Sequence, residues 1–437
     1  MPPRSRRSLL ALLGAATATA VAGCRTAAPS ETDTRGTSPT GSPSPTDAET
    51  AADTESPTGS PGWSGCGPAP RPDAAWPVGR RSPARDGYVV DPQGFDEAPT
   101  TAWEAEPSAP ADSHASPRYG RPVVAGGRVY LLNLLDRGPQ ISLYGRVHAL
   151  DAGTGERGWA SERFRSPEPP VIRGDLAVVL AENDSLEARL HAFDRTDGSR
   201  RWTREFAPRA DALVGAGEHL YLVLGEGTGP RAVHAFADDG TTVWSRADAF
   251  DGPLTRGPVV GPGHVYAATN DGRLHALARD DGTAAWTHRF ERPAEERPYV
   301  TDVVATDCAV FAVVEGAVHA LDDSGTPVWY VAGDHGPLAT DGETVYAVAD
   351  SDSGQREVRA LNARTGEVRW SVRRLLATHR PPVVVGDTLL VGSDGAVVAL
   401  DRGDGTERWR MDRSLGDLAL ADGTLYGTDR GALVALR

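Results

Sequence analysis

Beyond residue 100, short runs of apolar residues alternate with short runs of Gly, Asp, Asn and Thr. In residues 146–155, a strand-like segment ends at Asp151 and a glycine-bearing turn, and a second segment carrying Trp159 follows. Asp, Asn and Gly tolerate the positive φ angles that tight turns require. The same pattern recurs in residues 273–282 and 358–366. It predicts short antiparallel strands joined by hairpin turns rather than long helices.

Tryptophan marks the period of this repeat. Eight tryptophans follow one another at spacings of 56, 43, 42, 42, 43, 41 and 39 residues, at Trp103, Trp159, Trp202, Trp244, Trp286, Trp329, Trp370 and Trp409. A period near 42 residues with β patterning predicts a propeller in which each repeat is one four-stranded blade.

The two ends of the repeat region complement each other. The last repeat, residues 418–436, has no tryptophan-bearing strand, whereas Trp103 lies in an isolated strand-like segment, residues 101–105. If this N-terminal strand completes the last blade, the ring has no open circular edge. We therefore predict an all-β fold, an eight-bladed β-propeller of four-stranded antiparallel blades that occupies residues 101–437 and is closed by the N-terminal strand.

The charge balance excludes some classes of function. The 437 residues carry 45 basic side chains, all arginine, against 60 acidic ones, and the formal net charge is −15. A nucleic-acid binder needs a basic face, so we expect no nucleic-acid partner. The three cysteines are too few for a disulfide-rich scaffold or a cysteine-rich metal protein.

The N-terminus has the features of an export signal. A charged segment with Arg6 and Arg7, an apolar segment and the small residues before Cys24 follow in order. Paired arginines are typical of twin-arginine export, and Val-Ala-Gly-Cys resembles a lipobox, so residues 1–23 are interpreted as a lipoprotein signal peptide and Cys24 as the lipidated residue. The alternative is an ordinary cleaved signal with a chance cysteine. Residues 24–62, rich in Ser, Thr and Pro, are predicted to be a disordered tether, and residues 63–100 an N-terminal strap.

The recurring phrases Ala-Leu-Asp, Thr-Gly and Trp resemble the PQQ-like β-propeller repeat over residues 101–437. The phrase from Trp76 to Tyr88 resembles one that often precedes such propellers in secreted halophile and actinobacterial members, a setting that the lysine-free, acidic composition fits. In fold and anchoring the chain is similar to the propeller lipoprotein of the bacterial barrel-assembly machine. The resemblance implies an extracytoplasmic, membrane-anchored lipoprotein of the cell surface, expected to be a monomer. It implies a non-catalytic scaffold that binds protein segments or glycans, and if the source has no outer membrane, that machine's task does not transfer.

The resemblance also raises an alternative function, a PQQ-dependent oxidoreductase. Dehydrogenases of this family share an adjacent Cys-Cys pair, a calcium site of Glu, Asn and Asp, and long insertions. Here Cys24, Cys66 and Cys308 are never adjacent and the insertions are missing. We therefore expect no cofactor and no enzymatic activity, since a fold does not carry its chemistry with it.

Two groups of metal-ligand residue types are interpreted as structural. Five histidines share one repeat position, at His148, His191, His234, His275 and His319. Equivalent positions in neighbouring blades are too far apart to share an ion at about 2 Å, so packing is expected rather than a metal site. The acidic stretch from Asp350 to Glu357 lacks the remaining ligands of a calcium loop and is expected to be a turn.

The connections between blades carry the candidate ligand face, because in propellers these loops meet around one mouth of the central channel. Arginine suits bidentate binding of carboxylates. Acidic residues are interspersed, so a solvated surface with internal ion pairs remains the alternative. The candidate residues are Arg163, Arg165, Arg204, Arg209, Arg256, Arg289, Arg292, Arg297, Arg373, Arg374, Arg380 and Arg413.

Two covalent modifications are possible in an exported protein. Asn183 begins the sequon Asn-Asp-Ser and is a candidate N-glycosylation site. Cys66 and Cys308 remain once Cys24 is assigned to lipid, and they form a candidate disulfide whose Cα separation the sequence does not supply.

The anchor leads to a first prediction. Cys24→Ser should abolish membrane retention and alter processing of the signal, because it removes the only side chain that the lipobox offers for lipid. A two-chain lipid is expected, since a single acyl chain anchors weakly. Cell fractionation and the intact mass of the mature protein measure both effects, with Cys66→Ser as the matched control. Unchanged retention and processing of Cys24→Ser would show that the anchor lies elsewhere.

Overall fold

A computed structural model describes residues 87–89, 95–108, 116–136, 143–183, 185, 187–206, 210–225, 231–247, 249–291, 298–350, 356–373, 380–393 and 395–437. The signal peptide, Cys24, the tether, Cys66 and most of the strap lie outside these residues. So do Arg209, Arg292, Arg297 and Arg374 of the candidate ligand face, and the side chain of Arg256.

Every regular element in the described residues is a β-strand. In chain order the strands are β1 (Tyr88–Val89), β2 (Thr101–Ala105), β3 (Ser116–Tyr119), β4 (Val123–Ala125), β5 (Arg128–Asp136), β6 (Tyr144–Asp151), β7 (Arg157–Ala160), β8 (Phe164–Arg165), β9 (Val171–Arg173), β10 (Leu176–Glu182), β11 (Ala188–Asp194), β12 (Arg200–Phe206), β13 (Ala210–Ala216), β14 (His219–Leu224), β15 (Ala232–Phe236), β16 (Thr242–Arg246), β17 (Leu254–Val260), β18 (His264–Thr269), β19 (Arg273–Ala278), β20 (Ala284–Arg289), β21 (Val300–Ala305), β22 (Ala309–Val314), β23 (Ala317–Asp322), β24 (Pro327–Val331), β25 (Asp334–Thr340), β26 (Thr344–Asp350), β27 (Arg356–Asn362), β28 (Val368–Arg373), β29 (Val383–Val385), β30 (Thr388–Ser393), β31 (Ala396–Asp401), β32 (Glu407–Met411), β33 (Ala419–Ala421), β34 (Thr424–Asp429) and β35 (Ala432–Leu436).

The strands form antiparallel four-stranded units in sequence order. Four sheets are simple units, β13–β16, β17–β20, β21–β24 and β25–β28. A ten-stranded sheet contains two such units, β4–β7 and β9–β12, because the two-residue strand β8 pairs with both β6 and β10. The prediction of a β-propeller built from four-stranded repeats is confirmed at this level.

One four-stranded sheet joins the two ends of the repeat region. Its order is β2–β35–β34–β33, with Trp103 opposite Ala435 and Ala105 opposite Leu433. Backbone hydrogen bonds between Thr100 and Arg437, of 2.7 and 2.8 Å, extend the same pairing.

The strap contributes a strand that the sequence did not reveal. Strand β1 pairs in parallel with the inner strand β29, so the sheet of β29–β32 has a fifth strand on its inner edge. The amide of Val384 donates to the carbonyl of Gly87 at 2.9 Å. A Cβ at Gly87 would lie 3.0 Å from the carbonyl oxygen of Pro382, so this close approach favours glycine.

The core lies between neighbouring sheets. Each apolar cluster combines buried residues of adjacent units. In one of them, Phe311 of β22 and Trp329 of β24 pack with Val345 and Ala347 of β26 in the next unit. The largest cluster spans both ends of the chain: Val124 of β4, Leu390 of β30 and Leu433 of β35 belong to it. Burying apolar side chains in this way stabilises a fold by about 25 cal/mol per Å² of surface removed from water.

Each repeat tryptophan links its sheet to the next one. Seven indole N–H groups donate to a carbonyl in the turn between the third and fourth strands of the following unit, at 2.7–3.1 Å: Trp103 to Ala152, Trp159 to Arg195, Trp202 to Asp238, Trp244 to Arg279, Trp286 to Asp323, Trp329 to Ala363 and Trp370 to Arg402. The glycine of the same turn lies under the indole. A Cβ at Gly282 would lie 2.5 Å from Trp244, and the φ of Gly282 is +71°.

Trp409 makes the same link with a different acceptor. Its indole N–H donates to the carbonyl of Phe95 at 2.7 Å, and the ring of Phe95 meets the indole edge-on with centroids 6.4 Å apart. A strap residue therefore stands where the other repeats have a turn of the next sheet.

The indole contact and the turn conformation can be separated by two alanine substitutions. Gly282 and Gly127 both have φ +71°, but a Cβ at Gly127 would meet nothing within 4 Å. Gly127→Ala should therefore cost only the positive-φ penalty, about 1 kcal/mol in the free energy of unfolding. Gly282→Ala should cost about 1–3 kcal/mol more, because the methyl group collides with Trp244. Urea unfolding of both variants measures the difference, and equal costs would refute the packing role of the indole.

Candidate binding face

The connections that precede the inner strands enclose a cavity of about 520 Å³, here called the central cavity. Its walls come from several units, including Leu132 and Leu134 of β5, Val214 of β13 and Leu254 of β17. The lining also carries charged side chains of both signs, namely Arg118, Arg121, Glu168 and Asp417. The exposed surface of the central cavity is thus about equally polar and apolar, a composition suited to a ligand that has both kinds of group.

Ion pairs join three units beside this cavity. One carboxylate oxygen of Asp417 accepts from Arg121 at 3.1 Å and lies 3.1 Å from Arg380. Arg380 belongs to the predicted ligand face, whereas Arg121 does not. The sequence did contain a signal for Arg121: an arginine directly before the proline that opens an inner strand occurs at both Arg121 and Arg380.

Three candidate arginines bind neighbouring strands of the protein itself. Arg204 donates to the carbonyl of Gly240 in the next sheet, and Arg373 donates to the buried carboxylate of Glu357 at 3.1 Å. Arg413 donates to Asp429 and Glu104, each at 2.7 Å, and to Thr101 at 3.1 Å, so it joins the connection after β32 to β34 and β2 of the last sheet. These contacts favour the alternative interpretation, in which many of the candidate arginines form ion pairs and hydrogen bonds within the protein.

The remaining described arginines do not converge on one spot. Arg289 ends β20 and is exposed. Arg163 lies 5.0 Å from the ring centroid of Tyr144, and Arg163 and Arg165 line a second cavity of about 500 Å³ next to β8. Of the described candidates, Arg163 and Arg165 line this second cavity, and Arg380 lies beside the central cavity through its ion pair with Asp417, so the candidate face does not form a single basic patch.

The repeat histidines lie on the third strand of their units and pack against aromatic rings. His191 lies 4.7 Å from Phe164, His275 5.1 Å from Phe250 and His319 5.0 Å from Phe290, between ring centroids. The Nδ1 of His148 shares a 3.2 Å hydrogen bond with the hydroxyl of Tyr119. Burial lowers the pKa of His148, His191 and His319 to about 4, so these rings are neutral at pH 7.

The lining residues do not fit the quinone cofactor of the fold family. The central cavity is lined by leucine, valine, proline and a few charged side chains, with no cysteine and no histidine. Over the described ranges, no three His, Cys, Asp or Glu side chains are grouped so that they could hold a metal ion. In the predicted turn, Asp350 pairs with Arg356 at 3.3 Å, and residues 351–355 lie outside the described ranges.

The two modification candidates remain predictions. The Nδ2 of Asn183 donates to Glu187 at 2.8 Å, and its Oδ1 accepts from the amides of Ser185 and Glu187. Cys308 is disulfide-bonded, and the other two cysteines, Cys24 and Cys66, lie outside the described residues. The described segments contain no helix with the length and apolar character needed to span a bilayer.

Comparison with protein families finds one model that matches most of the repeat region. The model of "Outer membrane protein assembly factor BamB" matches residues 99–204, 229–330 and 314–437. The protein of that name from Yersinia pestis is 29% identical over 212 residues, which are 44% of this chain and 51% of the relative. The chain therefore spans about half the length of the curated relatives that it matches.

Solved structures resemble the chain in fold. BamB from Moraxella catarrhalis superimposes with a TM-score of 0.50 at 21% identity, over 77% of this chain and 97% of that chain. A europium-containing methanol dehydrogenase superimposes with a TM-score of 0.56 at 12% identity, over 81% of this chain and 90% of that chain. At these identities the likeness concerns the propeller fold alone.

Burial of the repeat histidines makes stability depend on pH. The pKa of His191 is about 4 in the folded protein and about 6.5 in an unfolded chain, so the unfolded chain binds more protons between these values. Stability therefore falls as the pH falls through that window, by about 2 kcal/mol from pH 7 to pH 5 for this one group. His191→Phe should remove this part of the pH dependence while it keeps the aromatic packing on Phe164. Thermal unfolding at both pH values measures it, and an unchanged pH dependence would disprove the assignment.

Proposed function

Because the chain belongs to the outer membrane protein assembly factor BamB family, we propose that it is a non-catalytic binding scaffold of the cell envelope. The scaffold holds protein segments or glycans, and it is an extracytoplasmic lipoprotein of the cell surface that is anchored to a membrane by lipid at Cys24. The observation that carries the proposal is the central cavity, a recess of about 520 Å³ with apolar and polar walls and charges of both signs, built from strands and connections of several units.

The chemistry of the central cavity suits a protein segment. Leu143 and Leu213 are partly exposed and offer apolar surface, and Arg118 and Glu168 offer charges of opposite sign at the rim. A recess within the range of about 300–1,000 Å³ holds a few side chains of a bound segment. The rigid sheets beneath preorganise the recess, so little conformational entropy is lost on binding. The assembly of outer membrane proteins is the named task of the relatives, and this scaffold shares it only in an organism with an outer membrane.

The domain organisation follows from the same reasoning. Residues 1–23 form the signal peptide, residues 24–62 the tether, residues 63–100 the strap and residues 101–437 the propeller. The four-stranded units number eight when the sheet of β2 and β33–β35 is included, so the ring has eight blades and is closed by β2. Three contacts support closure: Trp103 donates to Ala152 of the first unit, Trp409 donates to Phe95, and Arg413 pairs with Glu104.

Quinone-dependent oxidation is the competing function. The fold likeness to a methanol dehydrogenase favours it, whereas the composition of the central cavity does not. Incubation of the purified full chain with PQQ and calcium, followed by dialysis, distinguishes the two. Retained quinone absorbance in stoichiometric amount would support the oxidoreductase and contradict the scaffold.

The scaffold proposal predicts where a partner is held. A photo-crosslinking benzoyl-phenylalanine at Leu213, which lines the central cavity, should give discrete adducts with an envelope polypeptide in the native cells. The matched control position is Val368, which is 53% exposed on the outer strand β28. Mass spectrometry of the adducts identifies the partner. If Leu213 gives no adduct, or the same adducts as Val368, the central cavity is not the docking site.

Ring closure predicts a contrast between two deletions. Removal of residues 1–104 should lower the melting temperature strongly, because it exposes the edge of β35 and the apolar face that Trp103 covers. Deletion of residues 25–61 should leave the melting temperature unchanged, since the tether has no core. Trp103→Ala should cost about 3 kcal/mol, the low end for a large buried aromatic, because the indole is only partly buried. Thermal unfolding of all three variants is the measurement, and equal melting temperatures of the two deletions would mean that the ring closes in another way.

A further inference from the structure

The second cavity, of about 500 Å³, lies where β8 joins the first two complete units and is here called the side cavity. Its lining comes from residues 162–165, from Tyr144, from Glu182, Asn183 and Ser185, and from Arg189 and His191 of β11. None of these residues lines the central cavity. The side cavity is therefore a separate feature, and its chemistry can be considered independently.

Buried nitrogen atoms without a partner surround the side cavity. The side chain of His191 is only 7% exposed, yet its Nδ1 makes no hydrogen bond within the described residues, and the nearest carboxylate oxygen, of Glu162, is 3.7 Å away. Within the described residues the Nε atoms of Arg165 and Arg189 are also buried without a hydrogen bond, although Arg165 lies 3.8 Å from Glu182 and a terminal nitrogen of Arg189 pairs with Glu205. At the equivalent positions, the Nδ1 of His148 and of His275 are paired with hydroxyl groups. His191 thus differs from His148 and His275, and it does so at a cavity, where a ligand would complete its hydrogen bonding.

The charges around the side cavity restrict the ligand. Arg163, Arg165 and Arg189 contribute positive charge, but Glu162 and Glu182 line the same space. A compact anion such as phosphate would be repelled by the two glutamates, and an apolar ligand would leave the nitrogen atoms unpaired. An acidic saccharide, in which each carboxylate lies among several hydroxyl groups, satisfies both sets, since hydroxyl groups donate to carboxylates and accept from ring nitrogen or guanidinium groups.

Aromatic rings and size fit the same class of molecule. Tyr144, which is half-buried, lines the side cavity and offers a ring on which the C–H groups of a sugar can pack, whereas the ring of Phe164 is buried against His191. The volume of about 500 Å³ is within the usual range for small-ligand sites and accommodates a disaccharide.

We propose that the side cavity binds an acidic saccharide, with its carboxylate held by Arg165 and Arg189 and its hydroxyl groups held by His191 and Glu162. The inference develops the glycan arm of the proposed function, but at a place separate from the central cavity. Glycan binding and protein docking can therefore succeed or fail independently.

Calorimetric titration of the full chain with digalacturonate tests the proposal. Saturable binding is expected, and the double variant Arg165→Gln with Arg189→Gln should weaken it at least tenfold. His191→Phe, which keeps the aromatic packing, should weaken it as well and serves as the second variant if the double variant unfolds. Arg201→Gln is the matched control, because Arg201 is an ion-paired arginine of the same sheet that does not line the side cavity, and it should bind unchanged.

Neutral galactobiose and inorganic phosphate complete the test. Both should bind at least tenfold more weakly than digalacturonate. The absence of digalacturonate binding, equal binding of galactobiose or phosphate, or unchanged binding by both His191→Phe and the double arginine variant would each overturn the proposal. Crosslinking at Leu213 should persist at saturating digalacturonate. If Leu213 gives no adducts even without saccharide, that result contradicts the proposed protein scaffold but not the proposed saccharide site.

Discussion

The hydrogen bond from each repeat tryptophan to the next sheet is the interaction on which the rest of the molecule depends. Backbone hydrogen bonds between neighbouring units are few in the described residues, as from His335 to Gly316 at 2.8 Å, so side chains do most to fix the angle between the sheets. The indole of Trp244 does so twice: its N–H donates to Arg279 at 3.0 Å, and its ring covers Gly282. Only glycine permits the indole to lie against that turn, which explains why the Gly and the Trp recur together.

Aromatic packing holds the opposite end of the sheets. Phe164, Phe250 and Phe290 follow the outer strands β7, β16 and β20 in the chain. Their rings pack against the rings of His191, His275 and His319, respectively. The end with the tryptophans is closed by turns, whereas the end with these pairs carries the connections that line both cavities. A rigid ring with varied connections at one end is the arrangement that binding scaffolds require, because loops can change while the sheets stay fixed.

Arginine takes part in this rigidity. Arg204 and Arg246 reach from an outer strand to the turn carbonyls of Gly240 and Gly282 in the next sheet. The planar guanidinium group supports several directed hydrogen bonds from one side chain. Loop arginines therefore belong to two populations, those that join sheets, such as Arg413, and those that line a cavity, such as Arg165. The number of arginines in the loops therefore does not by itself show whether they bind a ligand or form ion pairs within the protein.

The sequence by itself determined the repeated unit and the chemistry of its turns, because strand, turn and tryptophan lie within about 42 residues and leave a periodic record. It also indicated that Trp103 stands apart from a complete repeat. Only the tertiary structure decided which distant residues meet. Tyr88 pairs with Val384 between two parallel strands, Arg121 forms a salt bridge with Asp417, and the indole of Trp409 donates a hydrogen bond to Phe95. These contacts join residues about 300 positions apart, each occurs once, and none leaves a period that a sequence can display. The side cavity is likewise decided by tertiary structure, because the missing partner of His191 becomes visible only beside the hydroxyl partners of His148 and His275.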